Sequence, residues 1–121
     1  MVWLYVTFLR IKARILKKKL WYLSGEVSND PDFRKKFNRI EKELSSAGIV
    51  VLNPVRYERD GKDWAWYLKR DVRKLSYCDG IILLYGWANS GGAMVEYNLA
   101  IKLKLKTISI ANVKEALHET K

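Results

Sequence analysis

Gly80-Ile81-Ile82-Leu83-Leu84-Tyr85-Gly86-Trp87-Ala88-Asn89-Ser90-Gly91-Gly92-Ala93-Met94-Val95-Glu96-Tyr97-Asn98-Leu99-Ala100 is the stretch that decides the fold. Its first six residues are almost continuously apolar, as in a strand covered on both faces. A loop of small residues follows, and then a helical pattern from Gly91 to Lys104. A doubly buried strand leading into a helix is the repeating unit of a parallel sheet. On that helix Glu96 stands three or four residues from Gly92, Ala93, Leu99 and Ala100, and seven from Leu103. This spacing puts its carboxylate on the apolar face that meets the sheet. Burying an unpaired carboxylate costs on the order of several kcal/mol, so Glu96 is the first candidate for chemistry.

The same alternation runs outward from this stretch. Leu20–Ser24 reads as a strand ending at Gly25. Residues 30–47 read as a helix with Asp30 as N-cap, Pro31 in the first helical position and Gly48 as its stop. Ile49–Leu52 is a buried strand closed by Asn53-Pro54, and residues 56–62 are a polar loop. A helix follows over residues 63–77, then the third strand, the third helix and a fourth strand at Thr107–Ile110. A short helix is expected over Val113–His118. The fold class is therefore α/β: a doubly wound parallel sheet of four to five strands with helices on both faces. Ligands of such sheets bind at the carboxyl ends of the strands. Here those ends are the loops at residues 24–29, 53–62 and 86–92.

The 121 residues allow one domain with a full core, and an apolar content of 49% is too high for disorder. One cysteine, Cys78, excludes an intramolecular disulfide and reads as a small buried hydrophobe. One histidine, His118, leaves no basis for an imidazole metal site or for a Ser-His-Asp or Cys-His mechanism. No metal or cofactor is expected. The net charge of +10 is uneven. Residues 1–20 hold Arg10, Lys12, Arg14, Lys17, Lys18 and Lys19 without an acid, so the rest carries 17 bases against 13 acids. The body is only mildly basic, and sequence-specific nucleic acid binding is not expected. The division expected is a basic amphipathic extension at residues 1–19 and a domain at 20–121. In the extension Leu4, Phe8, Ile11 and Ile15 recur at helical spacing. It fits a helix docked on a partner subunit, an extension from a wrongly assigned start, or weak contact with a membrane or other anionic surface. It has neither the order of a secretory signal nor the length of a membrane span.

Asp71 is the second carboxylate of interest. Its helix carries an apolar stripe at Trp64, Leu68, Val72 and Leu75, and Asp71 lies on or beside that face. Lys69, Arg70, Arg73 and Lys74 are expected to point outward, and an edge ion pair with one of them is the plainer reading of Asp71. Asp79 is expected to cap backbone groups. In the loop Asn89-Ser90-Gly91-Gly92, small residues precede a helix, where free N–H groups and the helix dipole favour an anion. Ser90 serves equally well as a simple N-cap.

From about Leu20 to Ile110 the chain resembles the nucleoside 2-deoxyribosyltransferase-like superfamily. Within it, the chain is similar to small phage- or prophage-associated domains and to deoxynucleoside 5′-monophosphate N-glycosidases. The residues that carry the resemblance are Tyr22-Leu23-Ser24-Gly25, Val51-Leu52-Asn53-Pro54, Tyr67-Leu68-Lys69-Arg70-Asp71, Cys78-Asp79-Gly80-Ile81, and Gly86-Trp87 followed by Ser90-Gly91-Gly92-Ala93 and Glu96. The resemblance implies a flavodoxin-like fold and cleavage of the N-glycosidic bond of a deoxynucleoside or its 5′-monophosphate. In it Glu96 matches the nucleophile, and Asp71 matches the residue that orients the sugar or handles the leaving base's proton. Tyr22 matches the tyrosine that hydrogen-bonds the nucleophile, and Ser90 a phosphate contact of the members that use monophosphates. Gly25, Gly91, Gly92, Asn89 and Trp87 complete the expected binding set. Glu26 departs from the proline or small residue usual after Gly25.

The expected protein is a cytoplasmic enzyme and a homodimer or higher homo-oligomer. It hydrolyses, or transfers the sugar of, a nucleotide or nucleoside. The alternative is a catalytically silent nucleotide-binding or sensing module of the same fold. A third reading, binding of nucleic acid or membrane through residues 1–20, predicts that deleting those residues leaves nucleotide cleavage intact.

Overall fold

The computed structural model describes residues 2–119. Helix α1 (Val2–Leu16) leads into strand β1 (Leu20–Ser24), α2 (Phe33–Ser46), β2 (Val50–Leu52), α3 (Trp64–Ser76) and β3 (Gly80–Leu83). A 3₁₀ turn at Trp87–Asn89 precedes α4 (Gly91–Lys102), β4 (Lys106–Ser109) and α5 (Ile110–Glu119). The four strands form one parallel sheet in the order β2-β1-β3-β4, as expected for a doubly wound fold.

Strand side chains alternate between two apolar layers. Leu20, Tyr22, Val50, Leu52, Ile81 and Leu83 face α1, α3 and α4, where they meet Val6, Leu9, Ala13, Leu75, Cys78 and Ala100. Leu23, Val51 and Ile82 face α2 and α5, where they meet Phe37, Ile40, Leu44, Ile110 and Val113. The chain steps from β1 to β2 across one layer, then from β2 to β3 across the other. The reversal leaves a crevice at the carboxyl ends of β1 and β3.

Several local expectations change. Helix α2 begins at Phe33, not at Asp30, because the Asp30 carboxylate accepts from Asp32 N at 2.9 Å and folds residues 30–32 into a separate turn. Gly48 does stop that helix, with φ +84°. Ile110 opens α5 directly after β4, so this helix is longer than the sequence pattern suggests. In α1 the buried face is Val2, Val6, Leu9 and Ala13, while the Leu4, Phe8, Ile11 and Ile15 stripe lies outward, between 54% and 74% exposed. Two apolar stripes share one helix, and the side of smaller residues packs on the sheet. Asp79 caps as expected, accepting from Leu20 N at 2.8 Å, and Cys78 is buried. No described helix is long and apolar enough to cross a membrane.

Candidate active site

Two hydroxyls from β1 and one carboxylate from α4 meet at the crevice. Tyr22 and Ser24 are two residues apart in a strand, so both project toward α4. The Tyr22 hydroxyl donates to Glu96 Oε2 at 2.5 Å, and the Ser24 hydroxyl to Glu96 Oε1 at 2.7 Å. Both carboxylate oxygens are thus engaged, and Glu96 is 5% exposed. Burial pushes its carboxyl up to about 7, against the lowering by Tyr22, Ser24 and the Lys74 charge. Tyr22 is fully buried, and burial together with the charges of Asp71 and Glu96 holds its phenol well above the usual range.

Asp71 reaches the same cavity from α3. Burial and then the Glu96 charge raise its carboxyl well above the usual range, with Arg70 opposing. Two carboxyls in one low-dielectric site resist ionising together, so the pair retains a proton where isolated carboxylates have lost theirs.

The cavity has a volume of about 380 Å³ and is walled by Tyr22, Gly25, Glu58, Trp64, Asp71, Ser90, Gly92 and Glu96 among others. Leu23, Phe33, Phe37 and Val55 give it an apolar side, and Arg34, Asp60 and Lys62 add charge. At Gly25 a Cβ would stand 3.0 Å from Leu84 Cβ, so a glycine lets the chain pass close to the end of β3. The Ser90 hydroxyl caps α4 by accepting from Ala93 N at 3.2 Å, and Ser90 also lines the cavity. The residue 53–62 loop is fastened at several points. Asn53 Nδ2 donates to Asn38 Oδ1 at 2.8 Å and to Glu41 Oε1 at 3.0 Å, and Tyr67 Oη donates to Arg59 O at 2.5 Å.

Of the residues singled out in the sequence, Tyr22, Gly25, Asp71, Ser90, Gly92 and Glu96 share this cavity. Asn89, Gly91 and Trp87 stand outside its lining; Trp87 packs on Tyr97 with ring centroids 4.8 Å apart. Trp64 is not a core residue: it is 53% exposed and lines the cavity. Lys74 does not point outward: it is 1% exposed and donates to Pro54 O at 2.8 Å. Ser24, Glu58 and Lys74 are site residues that the sequence pattern did not single out. For Ser24 the signal is its two-residue spacing from Tyr22. For Lys74 it is the 67, 71, 74, 78 helical register, which places it on the face of Asp71 and the buried Cys78.

Over residues 19–109 the chain matches the family described as Domain of unknown function (DUF4406). Among solved structures it is similar to a 2-deoxyribosyltransferase from Bacillus psychrosaccharolyticus. That match has a TM-score of 0.59 and 18% identity, over 74% of this chain and 70% of the other. A 2-deoxyribosyltransferase from Leishmania mexicana matches with a TM-score of 0.59 and 19% identity, over 75% of this chain and 63% of the other. At such identities the likeness is one of fold. The fold shared with these 2-deoxyribosyltransferases is flavodoxin-like. No curated protein matches the sequence.

Proposed function

The chain belongs to the family described as Domain of unknown function (DUF4406), and from that premise we propose that it cleaves the N-glycosidic bond of a deoxynucleoside 5′-monophosphate. The observation that carries this reading is the Glu96 carboxylate, buried yet held by two hydroxyls beside a second carboxyl on one cavity. The 2-deoxyribosyltransferase fold supports it.

The chemistry follows from the two environments. Glu96, ionised, attacks C1′ of the sugar, and the bond from C1′ to the base nitrogen breaks. Asp71, protonated, gives its proton to the departing base. Water then attacks C1′, its proton passes to Asp71, and Glu96 leaves as the carboxylate. A second base in place of water makes the same site a transferase. Two displacements at one carbon retain configuration, as in glycosidases with a carboxylate nucleophile. Tyr22 and Ser24 hold the Glu96 oxygens in place. Ser90, at the N-terminus of α4, is suited to meet the 5′-phosphate, where the helix dipole favours an anion.

The test is incubation with deoxynucleoside and ribonucleoside 5′-monophosphates and their unphosphorylated forms, followed by chromatography for free base. The reading expects release from a monophosphate by the wild type and loss of at least about a thousandfold in Glu96→Ala. Release unaffected by Glu96→Ala would overturn it. Absence of release from every substrate, with thermal stabilisation by a nucleotide, would assign a silent binding module instead.

A further inference from the structure

Lys74 is a buried cation for which the proposed displacement has no use. Its ammonium donates to the Pro54 carbonyl at 2.8 Å and to the Glu58 carboxylate, and stands 3.7 Å from Asp71 Oδ1. An apolar side chain would fill this helix position without desolvating a charge, so the lysine needs its partners. Glu58 and Asp71 both line the cavity. Glu58 Oε2 and Arg70 Nε stand 3.7 Å apart, both buried and neither with a hydrogen-bond partner. Three carboxylates of the cavity wall (Glu58, Asp71 and Glu96) thus share a buried cluster with two cations outside its lining (Lys74 and Arg70), apart from the more exposed Arg34, Asp60 and Lys62. Fully ionised, the group carries one net negative charge. One proton held by the Asp71–Glu96 pair makes it neutral, the state a low-dielectric site favours.

We propose that Lys74 is a positioning residue: its ammonium fastens Pro54 and Glu58 to α3 and sets the Asp71–Glu96 pair to a single proton. The inference rests on the glycosidase reading only for which carboxylate reacts. Tyr22 and Ser24 from β1 hydrogen-bond Glu96, and the charges of Asp71 and Lys74 from α3 couple to it. Glu58 from the loop and Asp71 from its own helix pair with Lys74, and the charge of Glu96 from α4 couples to it. The charges of Lys74 and Glu96 favour each other's ionised form, each opposing burial; the ammonium lies at about 8.

The experiment is a carboxyl-carbon NMR titration of Glu96 in the full chain, comparing wild type, Lys74→Gln and Lys74→Met. Glutamine keeps N–H donors for Pro54 and Glu58 but lacks the charge, whereas methionine keeps only bulk. Glu96 is expected to titrate about one unit or more higher in both variants, a loss of about fivefold or more in its ionised fraction at pH 7. Amide exchange over residues 55–60 is expected to quicken in Lys74→Met more than in Lys74→Gln. Base release at pH 7 should fall about fivefold or more in kcat, with the deficit shrinking as pH rises. An unmoved Glu96 titration in both variants overturns the proposal. If Lys74→Met fails to fold because Glu58 is stranded, Glu58→Gln/Lys74→Met removes that charge and the same titration decides. A wild type that releases no base while the variants still move Glu96 would sink the glycosidase reading and leave the role of Lys74 standing.

Discussion

At position 96 a carboxylate lies where helix α4 meets the sheet, and two strand hydroxyls make that burial tolerable. A hydrogen bond to a charged group contributes about 1.5–3 kcal/mol. Tyr22→Phe is therefore expected to lower kcat/KM for base release by about ten- to a hundredfold. It should also move the acid limb of the pH–rate profile upward, since Tyr22 holds the Glu96 carboxyl down. A profile superimposable on the wild type would refute this role. Glu96 was legible from helical spacing alone, because a carboxylate in register with Ala93, Leu99 and Ala100 interrupts the face that must pack on the sheet. Lys74 was not: a lysine is placed outside by default, and the Glu58 that compensates it comes from a loop 16 residues away in sequence.

At the scale of elements, α1 and α4 carry the sharpest consequences. Leu9 is buried against the sheet and Phe8 is exposed on the other side of α1. Leu9→Ala should destabilise the protein by about 2–3 kcal/mol in denaturant unfolding, whereas Phe8→Ser should cost less than about 0.5. The reverse ranking would mean that the outward stripe is the packing face. Periodicity could not choose between these stripes, because both repeat at helical spacing and only the sheet decides which is covered. In α4, Ser90→Ala removes the cap and should cost about 1 kcal/mol in the same measurement. Under the proposed function it also raises KM for monophosphates and not for unphosphorylated nucleosides. The start of α2 departs from its sequence pattern for a local reason: the Asp30 side chain bonds two residues ahead and closes a turn of its own.

Across the whole molecule, the strand–helix alternation was enough to read the doubly wound sheet, and β1 and β3 meet where the winding reverses. What no single segment revealed was the convergence of α3, α4 and the β2–α3 loop on one cavity, which depends on packing between distant parts. That convergence has a global signature in the dependence of stability on pH. The Glu96 carboxyl sits at about 7 in the folded chain against an ordinary value of 4.5. The folded state therefore holds a proton that the unfolded chain releases first. The stability this contributes is present below pH ~4.5 and is lost as pH rises through about 7. Asp71, also raised, acts in the same direction. Glu96→Gln has no charge to bury, so its melting temperature should exceed that of the wild type by about 5–10 °C at pH 8 and converge with it toward pH 4.5. A constant difference across that range would show that Glu96 does not titrate as described.

The central claim is that Glu96 carries the sugar during the reaction. Its most direct test is rapid acid quench of the enzyme during turnover of a deoxynucleoside 5′-monophosphate, followed by mass spectrometry of its peptides. The account predicts a deoxyribosyl 5-phosphate adduct on the peptide containing Glu96, absent from Glu96→Ala. An adduct on another side chain, or turnover by Glu96→Ala at the wild-type rate, would contradict it.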